Sequence, residues 1–295
     1  MNRSWRLHAV HRTPFFSVYR SKSILLVDVA LLAGITVLCV AAWQSLDANP
    51  RFSWDWATLS EYLIRTSPTP HPGLLLQGLF TTLRLTLVST LLAMVLGTLA
   101  GTAKSSSSLY LRLVSGTYVE LCRNLPPLIL VFLCHFFLAE QLTPIIELLE
   151  WLRRAPLVVQ NISEVLLGPL DQADAFLTAV ITLGIYEGAY VAEIVRGGIS
   201  AVPQGQWEAG QALGFPRWKL LANIIYPQAF RTMIPPLTGQ MISTIKDSAI
   251  VSVISIQELT FQGAQLVATT YRTFEIWLSV AGLYFVLTYS CSLVA

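Results

Sequence analysis

The chain has 295 residues, 54% of them hydrophobic and 12% charged, with a mean hydropathy of +0.60; an ordinary soluble domain carries about twice that charge. This composition excludes a water-solvated globule and describes an integral membrane protein. A net charge of +2 without any lysine-rich or arginine-rich run excludes nucleic acid as a partner.

Apolar stretches near the length needed to cross a bilayer, about 20 residues, predict an all-α protein of about six transmembrane helices. The first, Ile24 to Trp43, follows Arg3, Arg6, Arg12, Arg20 and Lys22 with no acidic residue among them. A cleavable signal is excluded, because the apolar run has full membrane length and no small-residue cleavage pattern leads into a soluble domain. Residues 1–23 therefore read as a basic cytoplasmic N-terminus, and residues 24–75 as a first transmembrane helix with its outer loop. In that loop Pro68, Pro70 and Pro72 predict a stiff, extended approach to the second span, Leu76 to Gly101. Asp28 and Arg84 lie near enough to span ends to snorkel.

The third span is expected from about Tyr118 to Ala139, with Pro126 and Pro127 fixing its start and Arg123 at the cytoplasmic boundary. Segment Thr102 to Leu125 carries Lys104, Arg112 and Arg123 against Glu120, whereas Glu140 to Asp174 carries Arg153 and Arg154 against six carboxylates. Basic residues favour cytoplasmic loops, so both termini are expected inside. In the outer insertion, about residues 140–174, apolar residues from Ile145 to Leu152 recur at helical spacing beside Glu147, Glu150 and Arg153, which predicts an interfacial helix from Leu142 to Leu152. The fourth span runs from Ala175 to about Arg196, the fifth from about Met233 to Ile256, and the sixth from Phe274 to the end. A few basic residues are expected beyond Ala295. Cys39, Cys122, Cys134 and Cys291 sit in or beside apolar runs without metal-like spacing and read as packing residues.

Between the fourth and fifth spans, Ile199 to Arg231 falls on the cytoplasmic side. Gly205 to Gly214 reads as a short helix of small residues with Glu208 near its start, where a carboxylate suits the dipole, and Gly214 as a left-handed stop. Ala209, Gly210 and Ala212 let its backbone approach a partner closely. Pro216 then opens a second, amphipathic helix on which Trp218, Leu221, Ala222 and Ile225 share a face.

The stretch EAGQALGFPRWKLLANIIYP, Glu208 to Pro227, resembles the EAA signature of bacterial ABC importer permeases. Glu208, Ala209, Gly214, Ile224 and Pro227 hold the signature positions, while Gly210 replaces the second Ala and Tyr226 the usual Leu. The resemblance implies a type I ABC importer permease domain over residues 76–295, with a coupling segment at about 203–227. In it, Glu208, Ala209, Gly210, Ala212, Leu213 and Gly214 seat in a groove of a separate ATPase. GAYVAEIVRGGISAVPQGQWEAG, YVELCRNLPPLILVF, GLFTTLRLTLVST and IKDSAIVSVISIQEL are similar to permeases for polar amino acids. The longer N-terminal region and the outer insertion look like the general amino-acid members.

Ionisable groups within a span are costly and mark functional candidates. Gln240, Thr244 and Asp247 are spaced i, i+4 and i+7 on one helical face, with Ser243 beside it. Asp247 there accepts a substrate ammonium and Gln240 offers donor and acceptor to the carboxylate or side chain. The resemblance supports this placement, since polar amino-acid permeases line their central site with this helix, often with an acidic residue where Gln240 stands. Pairing of Lys246 and Asp247 with neighbouring helices stands as the alternative. On the fourth span, Glu187 and Tyr190 are deep enough to join the pathway, while Glu193 and Arg196, at i and i+3, read as a structural pair.

No GxxxxGK[ST] loop occurs, so ATP and its Mg belong to a partner; no cofactor, metal site or catalytic residue is expected in this chain. The histidines His8, His11, His71 and His135 are scattered. The expected partners are an ATPase dimer, a second permease subunit, identical or homologous, a periplasmic binding protein that delivers the amino acid, and the lipid of a bacterial inner membrane. The rival reading is an ion-coupled secondary transporter using Lys246, Asp247 and Glu187. Inverted repeats would favour it, and none is apparent; a membrane scaffold, the third reading, needs no polar stripe.

Overall fold

Leucine covers one side of the helix Leu74–Lys104 and small or hydroxylated residues cover the other, and it is the second side that the protein buries. Leu83, Leu87, Leu91, Val95 and Leu99 recur every fourth residue and are exposed, whereas Gly78, Thr82, Ser89, Ala93, Gly97 and Gly101 face inward. That is the pattern of a helix in lipid, where association comes from close packing of small residues rather than from hiding apolar ones.

The computed structural model describes residues 22–47, 54–56, 59–65, 71–141, 143–169 and 172–294. Arg3, Arg6, Arg12, Arg20, Pro68 and Pro70, on which expectations were built, lie outside the described residues. The chain forms two units, Met1–Asp55 and Trp56–Ala295. The described part of the first contains α1 (Lys22–Asp47), with an apolar stretch Val27–Ala41.

The second unit begins with α2 (Leu59–Leu63) and a two-residue antiparallel pairing of β1 (Ile64–Arg65) with β2 (His71–Pro72), a small departure from an all-α fold. Then come α3 (Leu74–Lys104), α4 (Leu109–Asn124), α5 (Pro127–Gln141), α6 (Thr143–Arg154), α7 (Leu157–Leu167) and α8 (Ala173–Ser200). The rest of the chain is α9 (Gln204–Ala212), α10 (Arg217–Leu220), a π-helical turn (Leu221–Ile225), α11 (Tyr226–Asp247), a 3₁₀ stretch (Ser248–Ile254), α12 (Leu259–Thr270) and α13 (Thr273–Val294).

Among the described residues, α3, α8 and α13 are each long and apolar enough to cross a membrane. Two bent pairs raise that number to five if each is one span: α4 with α5, at 115°, and residues 217–254 with α12, at 49°. The third predicted span, Tyr118 to Ala139, is thus corrected: it is not one helix. Pro126 drives Leu125 into an extended conformation (φ −83°, ψ 140°), and two successive residues without an N–H end α4 and start α5 in a new direction. The helix predicted from Leu142 to Leu152 is α6, and α7 follows it as a further helix not predicted from the sequence. The Gln160 amide ties the two by donating to the carbonyls of Arg153 (2.8 Å) and Ala155 (2.9 Å).

α3 and α8 run parallel in contact along most of their length. A Cβ on Gly97 would strike Val191, one on Gly101 the Ala192 carbonyl and Val195, and one on Gly184 the Leu92 side chain. Because backbone meets backbone there, α8 is the central helix, with Ala179, Glu187, Ala189 and Ala192 fully buried. Toward its C-terminal end Val191, Val195 and Ile199 pack with Leu220, Ile225, Ala229 and Met233.

The geometry predicts opposite effects for two glycines of similar helical context. Gly97→Ala inserts a methyl into Val191 and is expected to lower the apparent unfolding temperature of the purified protein, with overpacking worth roughly 1–3 kcal/mol. Gly197→Ala, where nothing lies within 4 Å, is expected to be neutral or to raise it, since Ala is the better helix former. Thermal unfolding in detergent distinguishes the two.

Candidate functional site

The polar stripe predicted on the fifth span lies on α11 and begins about one turn beyond Pro235 and Pro236, which stand inside the helix. Facing it is Glu187 of α8, whose side chain is fully buried. The Gln240 amide donates to Glu187 Oε2 at 2.5 Å. Asp247 and Thr244 also lie within interaction range of the Glu187 carboxyl, while the Thr244 hydroxyl donates to the Gln240 carbonyl at 3.0 Å. Asp247, Gln240 and Ser243 are half-buried, and Lys246 is exposed. Glu187 Oε1 has no hydrogen-bond partner although it is buried, so one acceptor in this cluster is unmet.

The structure thus brings Glu187, Gln240, Thr244 and Asp247 together. Gln240 donates one amide N–H to Glu187, which leaves its second N–H and its carbonyl oxygen for a ligand. Tyr190 stands apart from this group: its hydroxyl pairs with Tyr186 at 3.2 Å, its ring meets the Tyr186 ring edge-on at 5.2 Å, and Arg123 lies over it at 5.4 Å. Sequence spacing gave Tyr190 the pathway, and Tyr186 is the tyrosine that feels both acids.

Nearer the α9 end, Glu193 gathers three cations. Lys104 reaches it at 2.5 Å, Arg196 at 2.9 Å and Arg123 at 4.0 Å, and Lys104 also meets Glu120 at 3.5 Å. The predicted Glu193–Arg196 pair is therefore one edge of a network that joins α3, α4 and α8. The Arg84 guanidinium donates to the carbonyls of Phe80 (3.4 Å) and Glu164 (3.2 Å), fastening α7 to α3.

A second buried carboxylate, Glu258, escaped sequence reasoning. It caps α12 by accepting from the N–H groups of Thr260 (2.9 Å) and Phe261 (2.7 Å), and it also accepts from the Tyr284 hydroxyl at 2.7 Å. Thr82 adds its hydroxyl to the Leu259 N–H at 3.1 Å. The available signal was a carboxylate placed immediately before an apolar helical run.

The α9 hairpin is built by local rules. Gly214 has φ +74°; the Gly214 N–H donates to the Gln211 carbonyl (2.9 Å) and the Phe215 N–H to the Gly210 carbonyl (3.1 Å), a Schellman closure. Gly210 is buried against Leu220, where a Cβ would overlap the Leu220 side chain. Glu208, Ala209, Ala212, Leu213 and Gly214 are exposed, Leu213 by 75%. Two expectations are corrected here. Glu208 stands in the second turn of α9, because the helix begins at Gln204 rather than near Glu208. Trp218 is 67% exposed, and the buried pair after Pro216 is Leu220 with Ile225: the π turn spaces neighbours five apart, which moves the apolar face off the α-helical positions.

A helical membrane protein with a closely paired helix core, two bent helix pairs and a small exposed hairpin between α8 and α11 has the fold of the membrane-spanning subunit of a type I importer. Residues 93–295 match the family described as binding-protein-dependent transport system inner membrane component, and the chain belongs to that family. It is 33% identical over 219 residues to the glutamine transport system permease protein GlnP of Escherichia coli (strain K12), covering 74% of this chain and 88% of the relative. It is 32% identical to the L-cystine transport system permease protein TcyB of Bacillus subtilis (strain 168), over 74% and 81% of the two chains. Among solved structures, a crystal structure of an amino acid ABC transporter with histidines matches with a TM-score of 0.61 at 30% identity, over 82% of this chain and 96% of that one. An inward-facing MetNI methionine ABC transporter matches in fold, with a TM-score of 0.57 at 19% identity. The ion-coupled alternative gains no support from these matches.

The Glu187–Gln240 contact is testable by a double-mutant cycle on the purified protein. Gln240→Leu strands a buried carboxyl and Glu187→Leu strands the amide, each expected to cost roughly 1–3 kcal/mol. The double variant is expected to lose less than the sum of the two, read as unfolding free energy or midpoint.

Proposed function

We propose that this chain is the permease subunit of an ATP-binding-cassette importer of polar or general L-amino acids, lying in the bacterial inner membrane with α9 on the cytoplasmic side. The observation that carries the reading is the α9 hairpin. Its backbone is closed on itself and seated on Leu220, yet it turns Glu208, Ala209, Ala212 and Leu213 outward, exposed among the described residues. A surface that rigid and that bare suits docking into a groove of a separate ATPase dimer, which holds ATP and Mg; this chain contributes no catalytic residue. A second permease, identical or homologous, completes the pathway, and a periplasmic binding protein delivers the amino acid. Residues 76–295 form the permease domain, with the outer insertion at about 140–174 and the coupling segment at about 203–227.

From Leu220 to Gln240 the chain continues as helix, about 30 Å at 1.5 Å per residue. Displacement of α9 by ATPase closure therefore reaches the Glu187–Gln240–Asp247 cluster along one rod. In that cluster the carboxyl groups of Glu187 and Asp247 attract the substrate ammonium, with Gln240, Thr244 and Ser243 around it and Tyr190 at the edge of the pathway. The substrate class is supported by relatives that carry glutamine and cystine and by a cluster rich in acceptors for an ammonium.

Reconstitution with the partner proteins tests the reading. Uptake of labelled amino acid into proteoliposomes is expected to require ATP and the ATPase and to survive dissipation of ion gradients. Leu213→Asp on the exposed tip is expected to weaken ATPase association about tenfold, the effect of roughly 1.4 kcal/mol, and Asp247→Asn to change which amino acids compete. Uptake that persists without the ATPase and collapses with the ion gradient would overturn the proposal.

A further inference from the structure

At the end of the bundle where α3 and α8 begin, opposite the α9 hairpin, lies a cavity of about 660 Å³. From Asp174 at its wall to Glu187, α8 rises about 20 Å at 1.5 Å per residue, so this space is distinct from the cluster described above. Its walls come from the first turns of α3 (Gln77, Arg84), the turn before α8 (Gly168, Gln172) and the segment entering α12 (Ser255, Gln262).

Three features show the cavity is built rather than left over. Arg84 is held at the wall by two backbone carbonyls, which use only part of its donor fork. Gly168, with φ +81°, lies so close that a Cβ would sit 3.0 Å from Arg84 Nη1, so bare backbone makes room for the guanidinium. Gln262 is 2% exposed and its Oε1 accepts no hydrogen bond, a buried acceptor that a ligand donor would satisfy.

A fixed cationic fork and an orphan buried acceptor in one cavity match the two ends of a zwitterion. We infer that this cavity is an outer amino-acid subsite, where Arg84 receives the α-carboxylate and Gln262 Oε1 the α-ammonium before the substrate descends along α8. Recognition is confined to the groups all amino acids share, and the remaining volume accommodates side chains of different size. The inference rests on the amino-acid transport reading.

A thiol placed on the exposed rim by Gln257→Cys reports occupancy. Its reaction with a membrane-impermeant thiol reagent is followed at its own peptide by mass spectrometry, in the complete importer without binding protein. Millimolar L-glutamine or L-arginine is expected to slow labelling severalfold, and isobutylamine, which lacks the carboxylate, to leave it unchanged. Gln262→Leu nearly keeps the volume and removes the unpaired oxygen, and its unfolding temperature in detergent checks that it folds. It is expected to raise the half-protecting concentration about tenfold, the usual loss for one hydrogen bond to a charged group; Arg84→Lys keeps the charge without the fork and raises it less. Protection unaltered by Gln262→Leu, or protection by the binding protein but by no free amino acid, overturns the subsite. ATP-driven uptake in the unsubstituted importer without any protection sinks the subsite alone, whereas absence of that uptake sinks the transport reading and the subsite with it.

Discussion

Backbone-to-backbone contact between α3 and α8 is the constraint on which the rest of the bundle depends. In lipid no apolar gain drives helices together, so they associate where small residues allow close approach. Gly97, Gly101 and Gly184 supply that approach. With α8 so enclosed, any carboxylate on its inner face is shut away from water and lipid alike and must find a partner within the protein. Glu187 finds Gln240, and Glu193 finds Lys104 and Arg196.

These two carboxylates divide the length of α8 by task. Glu193 is met by an excess of cations from three helices and reads as a fastening between α3, α4 and α8. Glu187 is met by one amide and a neighbouring acid, with an oxygen left unpaired. A cluster short of donors is the one that gains from a visiting ammonium, and it lies on the helix that continues from the α9 hairpin. Along that helix the ordinary hydrogen-bond ladder is altered twice, at the π turn Leu221–Ile225 and at Pro235–Pro236. Both alterations lie between the hairpin and the cluster, where a rod that must transmit and redirect motion has use for them.

Much of this was legible in the sequence, and the rest was hidden for identifiable reasons. The apolar runs of α3, α8 and α13, the left-handed Gly214 and the i, i+4, i+7 stripe of α11 are local features, and local chemistry determines them. The partner of Gln240 was not legible, because spacing along one helix says nothing about which residue of another helix faces it. The contacts of Thr82 and Tyr284 with Glu258 were missed for the same reason, being joined across α3, α12 and α13, whereas the capping role of Glu258 itself was a local signal left unread. The break between α4 and α5 was half visible: Pro126 and Pro127 mark an end as clearly as a start, but their sharp change of direction is set by tertiary packing. On α10 a strict 3.6-residue period assigned Trp218 to the buried face, and a single π turn was enough to exchange it for Leu220.

The central claim is that the contact between Gly210 and Leu220 passes movement of α9 to the helix bearing Gln240 and Asp247. In the reconstituted importer, the ratio of amino acid taken up to ATP hydrolysed measures that transfer directly. Gly210→Leu forces the two elements apart and is predicted to lower the ratio, while adding Leu220→Ala returns the space and restores part of it. An unchanged ratio in the Gly210→Leu importer would contradict the account.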